Sequence, residues 1–270
     1  MNYRHSYHAG NFADVLKHVT LLALTLCLQR KATPFCYLDT HAGAGCYDLL
    51  SPSQKNQEYH HGIGRLIAAK NPPALIQRYL DCATNLHAYP GSPFLVRKLL
   101  RPQDRIIATE LHPEEHRALK NLFLHDTQVA VHAMDGYLGL KAFLPPKERR
   151  GFVLIDPPYE NPQEYTQALE HLAIGLKRWE TGIFALWYPI KDKAMLARFY
   201  QKAQEMIKTA ISVIELSIYP NDVSSRLNGC GILMVQPPWG LLQSIQEIMP
   251  WLTQTLCPDQ QGSWRISAKI

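Results

Sequence analysis

The stretch FCYLDTHAGAG, residues 35–45, joins an apolar run of strand length to a loop that carries Asp39 and two glycines spaced G-x-G. Gly43 and Gly45 can take backbone dihedrals that other residues resist, so the loop is able to approach a ligand closely. A lone G-x-G is also typical of a tight strand exit with no ligand. The stretch predicts the first strand of an open α/β sheet, and the rest of the chain must decide whether the loop binds anything.

Further apolar runs of strand length follow, and helix-period segments separate several of them. Strands that alternate with helices of this length indicate a parallel, doubly wound sheet. Only NDVSSRLNG (221–229) joins the last two runs. Because that loop is too short for a crossover helix, we expect an antiparallel hairpin at the end of the sheet. The strand-like runs are 105–111, 128–136, 151–158, 182–189, 211–220 and 229–238, and the helical segments are 112–124, 162–178 and 191–209.

The next two strands end in acidic residues, Glu110 in one and Asp135, followed by Gly136, in the other. Open α/β sheets bind ligands at the carboxyl ends of their strands, where a carboxylate can accept both hydroxyls of a ribose. The loop GAGCYD (43–48) lacks a third glycine, and no P-loop is present. A pyrophosphate-bearing cofactor is therefore disfavoured, and S-adenosylmethionine, which has no phosphate, fits better.

The interval between the glycine loop and Glu110 is longer than the about 20 residues that usually separate such a loop from the ribose-binding acid. The extra residues read as short helices with turn signals. We therefore predict a small helical subdomain over residues 50–92, mounted on the cofactor side of the sheet. Residues 1–49 then hold the tail, first helix and cofactor loop, and residues 93–270 complete the main domain. Ser92 is expected to be the N-cap of a helix with Pro93 in its first turn.

The stretch LIDPPYEN (154–161) ends a strand in groups suited to hold a flat amine. Adenine's exocyclic amine is a poor nucleophile because its lone pair is delocalised into the ring. Asp156 and the carbonyl of Pro157 offer acceptors for its two protons, and Tyr159 offers a face on which the base can stack. Two prolines can also simply stop a strand, but the position after a cofactor loop favours catalysis. Asp156 is the predicted catalytic residue.

The stretch MVQPPWG (234–240) has nearly the same form. It follows the hairpin strand at the far end of the predicted sheet rather than the strand beside the cofactor loop. We therefore interpret Pro237 and Pro238 as a strand terminator and Trp239 as a packing residue.

The N-terminal segment mixes aromatic and basic side chains ahead of a helix that begins near Asn11. Such residues suit a cover over a nucleotide, although a frayed terminus is the common alternative. Lys17 and His18 lie one helical turn beyond Asp14 and are expected to face the site. A metal centre built from His5, His8 and His18 is disfavoured because no acidic or thiolate partner has ligand spacing. The predicted cover consists of Tyr3, Arg4, His5, Tyr7 and His8.

Composition sets broad limits. The chain has 270 residues, 46% of them hydrophobic, and a formal charge of +5, which permits an anionic partner such as nucleic acid without showing one. Its six cysteines form no C-x-x-C pair, which favours a reducing cytoplasm and argues against a zinc ribbon. The longest apolar run, VTLLALTLCL (19–28), is shorter than the about 20 residues that span a bilayer, so we expect a soluble protein.

With these residues in place, the sequence resembles the RlmJ family of bacterial 23S rRNA adenine-N6-methyltransferases over nearly its whole length. The resemblance implies a Rossmann-like class I methyltransferase fold, with a mostly parallel seven-stranded sheet, a terminal antiparallel hairpin and an inserted helical subdomain. It also implies S-adenosylmethionine as methyl donor and one adenine of 23S rRNA, naked or in an early assembly intermediate, as target. The strings that carry it are YRHSYHAGNFADVLKH (3–18), YLDTHAGAG (37–45), YPGSP (89–93), TELHP (109–113), DG (135–136), LIDPPYE (154–160), ALWYP (185–189) and PPW (237–239).

The resemblance also implies roles for individual residues. Asp156 would be catalytic, Tyr159 would stack the base, and Tyr3, His5 and Lys17 would act on the substrate side. We expect a monomer without an obligate protein partner. The residues that would border S-adenosylmethionine are His18, His41, Ser92, Glu110, Asp135, Gly136 and Asp156.

Other functions remain open on the sequence alone. A DNA adenine methyltransferase would carry the same motif, but no separate target-recognition domain remains after Asp156. A protein glutamine methyltransferase commonly carries Asn at the first motif position. A catalytically idle RNA-binding module is the alternative outside the enzymes, and the intact motif and cofactor loop argue against it.

Overall fold

A computed structural model describes residues 5–51, 57–220, 226–257 and 262–270. The strands are β1 (Cys36–Asp39), β2 (Cys46–Tyr47), β3 (Tyr89–Pro90), β4 (Arg105–Glu110), β5 (Val129–Ala133), β6 (Gly151–Ile155), β7 (Ile183–Ile190), β8 (Ile211–Ser217), β9 (Gly229–Val235) and β10 (Ser263–Ser267). The helices are α1 (Phe12–Gln29), α2 (Ile63–Ala68), α3 (Ala74–Ala83), α4 (Ser92–Arg97), α5 (Pro113–Leu122), α6 (Gly136–Phe143), α7 (Glu164–Arg178), α8 (Lys193–Met206) and α9 (Leu241–Leu256).

The central sheet of the described chain has eight strands in the order β10-β8-β9-β7-β6-β1-β4-β5. Neighbouring strands from β7 to β5 pair in parallel, and β8, β9 and β10 join them through antiparallel pairs. The mostly parallel α/β fold predicted from the sequence is confirmed, and each predicted strand is present. The eighth strand, β10, was not predicted because its residues are half-exposed or exposed and lack the apolar pattern of the others.

The sequence predicts the β8–β9 hairpin at the end of the sheet. This position is wrong, because β10 pairs with β8 on its outer side. β9 runs antiparallel to β7, with Gly229 opposite Ile190 and Val235 opposite Phe184. We call the edge where the parallel strands end the carboxyl edge, and the opposite edge the amino edge. β9 therefore begins at the carboxyl edge, near the end of β7, and ends at the amino edge.

Helix α1 crosses one face of the sheet from edge to edge. Asn11 caps it, since its side-chain oxygen accepts from the amides of Ala13 at 2.9 Å and Asp14 at 3.1 Å. By length and composition α1 could span a membrane, but 89% of that window is buried inside the structure. Leucines and valines fill its sequence, and it packs against α3, α4 and α9. It is a core helix, and its first two turns reach the carboxyl edge.

Between β2 and β4 the chain forms the helices α2 and α3, short 3₁₀ turns and the two-stranded β2–β3 ribbon. The region packs on α1 through buried Tyr79 and Tyr89, whose hydroxyls are 2.8 Å apart. It also contacts the N-terminal segment, where Glu58 accepts from the Asn11 side chain at 3.0 Å. This is the region for which the sequence predicts an inserted helical subdomain, and the boundaries 50 and 92 stay a prediction.

Candidate active site

A cavity of about 380 Å³ opens at the carboxyl edge. Its volume lies in the range of about 300–1,000 Å³ that small-ligand sites occupy. Residues that follow β1, β4, β6 and β7 line it, together with the first turns of α1 and the turn before α4. The cavity is therefore where an open α/β sheet binds its ligand.

The glycine loop after β1 forms one wall of the cavity, and its amides are already used inside the protein. An anion-binding loop needs several free amides that point at the ligand, so this loop does not suit a pyrophosphate. Gly43 has φ +59, and a Cβ there would lie 2.2 Å from the Tyr47 hydroxyl, which explains the glycine. The amide of Ala42 donates to the carbonyl of Thr109 at 3.0 Å, that of Gly43 to Glu110 at 2.8 Å and that of Ala44 to the Tyr47 hydroxyl at 3.2 Å.

Gly45 has a different role from the one expected. It does not line the cavity. Its φ is +76, and a Cβ would lie 2.6 Å from a methyl group of Leu119. Its carbonyl accepts from the amide of Gly91 at 2.9 Å. Gly45 thus allows close packing beneath the loop rather than a close approach to a ligand.

Two carboxylates stand on this side of the cavity. Glu110 is held by the amides of Gly43 at 2.8 Å and His112 at 2.7 Å. Asp135 caps α6, and its Oδ1 accepts from the amide of Tyr137 at 2.7 Å. Backbone donors fix both groups, so each is presented to the cavity in a set orientation.

Gly136 is required where it stands. A Cβ at this position would lie 2.0 Å from the carbonyl oxygen of Thr40, so the start of α6 packs directly on the glycine loop. His41, in the same loop, lines the cavity, and its Nδ1 lies 2.7 Å from the hydroxyl of Thr40. Burial lowers the pKa of His41 to about 4, so its ring is neutral at pH 7.

Ser92 lines the cavity but does not cap a helix, so this part of the prediction is wrong. α4 begins at Ser92 itself, and Gly91 is its N-cap. The Ser92 hydroxyl instead donates to Asp39 at 2.6 Å, and the Tyr37 hydroxyl donates to the same carboxylate at 2.6 Å. Burial raises the pKa of Asp39 to about 6, although these hydrogen bonds lower it. Asp39 fixes the position of Ser92 from within the core.

The DPPY motif follows β6, which lies on the side of β1 opposite to β4 and β5. Asp156, Pro157, Pro158 and Tyr159 all line the cavity. Tyr159 takes the left-handed region at φ +51, and its hydroxyl donates to the carbonyl of Trp187 at 2.6 Å. Tyr159 is only 7% exposed, so its ring forms part of the wall rather than a flap over it.

Lys17 connects this motif to α1. Its ammonium lies 2.8 Å from Asp156 Oδ2 and 2.8 Å from Asp14 Oδ1. Asp14 also accepts from His5 Nε2 at 3.0 Å and from the amide of Gly10 at 2.9 Å. The 3₁₀ turn His5–Tyr7 is thus tied to the wall that carries Asp156 through Asp14 and Lys17.

These contacts determine the pKa values of Lys17 and Asp14. Burial by itself lowers the pKa of Lys17, but Asp14 and Asp156 raise it well above its usual range. Burial likewise raises the pKa of Asp14, but the charges of His5 and Lys17 bring it well below its usual range. Both groups are therefore charged at pH 7, and Lys17 fixes one oxygen of Asp156 while the other stays available.

His18 does not line the cavity, although the sequence predicts that it borders the cofactor. It is fully buried in α1, and its Nδ1 lies 3.1 Å from the Tyr89 hydroxyl and 3.4 Å from that of Tyr79. Burial lowers its pKa to about 3, so the ring is neutral. His18 supports α1 from behind the site, because the adjacent residue in the helix, Lys17, takes the cavity side.

The remaining residues of the predicted cover and of the disfavoured metal centre lie in different places. Tyr3 and Arg4 lie outside the described residues. His8 lies 3.0 Å from Glu58, and His5 and His18 have the different partners given above. Within the ranges 5–51, 57–220, 226–257 and 262–270, no three His, Cys, Asp or Glu side chains form a group suited to hold a metal.

Sequence reasoning missed the residues that complete the cavity on the side of β7 and β9. Trp187 lies in β7, Lys191 directly follows that strand, and Arg226 and Leu227 precede β9. Antiparallel pairing of Ile190 with Gly229 brings these two segments together. The hairpin was predicted, but the pairing of β9 with β7 was not. The sequence reasoning therefore did not place these two segments together. Asp14 was named only as a landmark, although its i,i+3 spacing to Lys17 marks a salt bridge on a helix.

Fold and site together define a Rossmann-like methyltransferase. The residues present fit S-adenosylmethionine: carboxylates of Glu110 and Asp135 suit hydroxyl and cationic groups, and the internally bonded loop amides suit a cofactor without phosphates. That class narrows to one family, because a family model described as ribosomal RNA large subunit methyltransferase D, RlmJ, matches residues 32–270. The chain belongs to the RlmJ family.

Individual relatives agree with this assignment. The chain is 41% identical over 274 aligned residues to ribosomal RNA large subunit methyltransferase J of Haemophilus influenzae, covering 98% of each chain. It is 40% identical to the protein of that name from Escherichia coli K12, over 99% of this chain and 98% of the relative. The crystal structure of a protein from Legionella pneumophila superposes with a TM-score of 0.89 at 35% identity, covering 97% of this chain and 98% of that one.

Proposed function

We propose that this protein transfers a methyl group from S-adenosylmethionine to the exocyclic N6 amine of a single adenine in 23S rRNA. The observation that carries the proposal is that one cavity is lined by Asp156, Pro157 and Tyr159 after β6 and by Glu110 and Asp135 at the ends of β4 and β5, on the other side of β1 in the sheet. The cofactor supplies an electrophilic methyl group when bound. The protein's own residues hold the cofactor on one wall and the base on the other.

On the substrate wall, Asp156 and the carbonyl of Pro157 accept the two protons of the adenine amine. This lets the nitrogen become pyramidal, so that its lone pair leaves conjugation with the ring and points toward the cofactor side. The methyl–sulfur bond of the cofactor would break as the methyl–nitrogen bond forms, S-adenosylhomocysteine would leave, and the methylated amine would then release one proton. Lys17 orients Asp156 by holding Oδ2 at 2.8 Å, which leaves Oδ1 for the amine. Tyr159 provides the apolar wall against which the base stacks.

Among the described residues, two cations of the cavity have no carboxylate in their part of the lining. Glu110 and Asp135 mark the cofactor side, and Lys17 pairs with Asp14 and Asp156, whereas Lys191 and Arg226 line the cavity on the side of β7 and β9. Phosphates that flank the target nucleotide carry negative charge and fit this basic side. The Arg226 guanidinium is held 4.2 Å from the Tyr219 ring centroid and donates to Asn228 at 2.7 Å. We propose that these two cations position the RNA backbone beside the base.

The arrangement requires an adenine that is unpaired or flipped out, because pairing occupies the amine and hides it in the helix. We therefore expect free rRNA or an early assembly intermediate as substrate. The elements after Asp156 complete the sheet and its helices, so the described chain has no separate module to read duplex DNA. His41, Ser92, Glu110, Asp135 and Gly136 are proposed to contact the cofactor, and His5 and Lys17 to act on the substrate side.

The test is transfer of tritiated methyl from S-adenosylmethionine to 23S rRNA, 16S rRNA, tRNA and DNA in parallel. We expect label in 23S rRNA alone, on N6-methyladenine after digestion. Label confined to DNA would overturn the substrate assignment. Label in 23S rRNA on a base other than adenine would overturn the role given to Asp156 and Pro157.

A further inference from the structure

Trp239 at the end of β9 is 88% exposed, the most exposed large hydrophobic side chain in the described chain. The prediction that it is a packing residue is therefore wrong. The turn that carries it is held in an unusual conformation, with Gln236 at φ +56 and Gly240 at φ +82. The side-chain amide of Gln236 donates to the carbonyl of Glu180 and fixes the start of the turn. Because positive φ is unfavourable for a non-glycine residue, the turn is a built feature and not a frayed strand end.

Arg30, at the end of α1, supports the tryptophan from one side. Its guanidinium carbon lies 6.0 Å from the Trp239 ring centroid, and Nη1 donates to the Trp239 carbonyl at 3.2 Å. A Cβ on Gly240 would lie 3.1 Å from the same Nη1, so the glycine leaves room for the guanidinium. The result is an exposed aromatic face next to a fixed cation.

More positive charge gathers around this pair. Arg101 donates to the carbonyls of Lys31 at 2.7 Å and Thr33 at 3.1 Å, and Arg150 donates to that of Thr33 at 2.7 Å. The carboxylate that pairs with Arg101, Asp104, is buried and lies 2.8 Å from it. Arg30 and Lys31 are exposed and present their charges to solvent.

We propose that Arg30, Lys31 and Trp239, which we call the amino-edge platform, bind a segment of the RNA substrate remote from the target adenine. An aromatic face next to cations is the combination that binds nucleic acid: bases stack on the ring and phosphates pair with the charges. An acidic protein partner would use the cations but not the exposed ring face. The proposal rests on the proposed function, because the platform has the same RNA as its ligand.

The position of the platform sets the reach of that RNA. α1 extends from the cavity to Arg30, and its 18 residues span about 27 Å at about 1.5 Å per residue. A short oligonucleotide held in the cavity does not reach the platform. A folded RNA that extends at least one helix length from the target adenine does.

The test measures RNA binding and methyl transfer for the full-length protein with two RNAs. One is an oligonucleotide of a few nucleotides around the target adenine, and the other is a folded fragment of 23S rRNA that contains it. We expect Trp239→Ala to weaken affinity for the long RNA by roughly tenfold, the loss of one base stack, and Trp239→Phe to recover most of it. Arg30→Met should lower the slope of log K against log salt by about 0.7–0.9 on the long RNA.

Trp264→Ala on the edge strand β10 is the matched control, since this residue is 36% exposed and lies outside the platform. Thermal midpoints confirm that each variant is folded. Equal affinity of wild type and Trp239→Ala for the long RNA would overturn the platform, and so would equal losses for both RNAs. If the wild type binds the long RNA through Trp239 but transfers no methyl to it, the proposed function fails while the platform stands.

Discussion

The ends of β6 and β9 have nearly the same sequence, DPPY and QPPW, yet they lie in opposite environments. Tyr159 is 7% exposed and forms a cavity wall, whereas Trp239 is 88% exposed on the surface. Both turns use a residue with positive φ, Tyr159 itself in one and Gln236 in the other. The difference arises from strand direction, because β6 runs with the parallel strands and β9 runs against them. A motif of this form takes its role from the sheet edge at which its strand ends.

The charges next to the two turns differ in the same way. Lys17 is buried between Asp14 and Asp156, each at 2.8 Å. Arg30 is exposed, and its guanidinium contacts the ring and the backbone carbonyl of Trp239. Charges that are buried and paired orient reacting groups and are costly to disturb, whereas exposed charges attract a ligand and are cheap to remove. The comparison predicts effects of very different size at the two edges.

The largest difference is expected between Asp156→Ala and Gln236→Ala. Loss of the carboxylate removes an acceptor from the reacting amine, and we expect methyl transfer to fall by at least about 10²–10³-fold. Gln236→Ala should leave transfer to the short oligonucleotide unchanged, because this residue lies at the amino edge. Initial rates of tritium incorporation measure both.

Binding of S-adenosylmethionine by calorimetry separates chemistry from cofactor affinity. We expect Asp156→Ala to retain most of that affinity, because Glu110 and Asp135 lie on the other wall. Full activity of Asp156→Ala would remove the functional distinction between the two turns.

The second difference concerns stability. Lys17→Met leaves buried Asp14 and half-buried Asp156 without their shared cation, and we expect the free energy of unfolding to fall by about 3–5 kcal/mol. Arg30→Met removes a surface contact and should cost less than about 1 kcal/mol. Urea denaturation of the two variants measures both values.

The double variant Asp14→Asn, Lys17→Met tests the cause. It removes one of the buried carboxylates along with the cation, so we expect it to recover part of the stability lost in Lys17→Met. If Lys17→Met costs no more than Arg30→Met, the contacts of Lys17 do not stabilise the fold.

The two edges also show how far sequence reasoning extends. The strand order of an α/β sheet places DTHAGAG, Glu110, Asp135 and DPPY at one edge, and that is where the structure has them. Local periodicity carries no information about strand direction. We therefore expected the β8–β9 hairpin at the end of the sheet and Trp239 as a packing residue. The edge strand β10 was missed because an edge strand needs no continuous apolar pattern.

Side-chain partners were the hardest to predict. Lys17 and His18 are adjacent in α1, and both were expected to face the site. Successive helix positions differ by about 100° in direction, so one of the two had to face away. Lys17 faces Asp156, and His18 faces the tyrosines of α3 and β3. Only the packing of the inserted region on α1 determines that Lys17, and not His18, faces the site.

The smallest expected effect is a pH dependence of stability that comes from His18, which is buried behind the carboxyl edge. Burial lowers the pKa of His18 to about 3, compared with about 6.5 in an unfolded chain. Because the pKa of His18 is lower in the folded protein, the unfolded chain binds this proton at a higher pH than the folded protein does. Its contribution to stability is complete above pH 6.5 and is lost as the pH falls toward 3. Between pH 7 and pH 5 this amounts to about 2 kcal/mol.

We therefore expect His18→Gln to flatten the dependence of unfolding free energy on pH by about 2 kcal/mol over that interval. Urea denaturation of the wild type and the variant at pH 7, 6 and 5 gives the two curves. His41, with a pKa lowered to about 4 by burial, contributes to the slope in both proteins, so the difference between the curves isolates His18. Parallel curves for wild type and His18→Gln would mean that His18 binds its proton as readily in the folded protein as in the unfolded chain. In that case the tyrosine contacts would have to tolerate a buried charge.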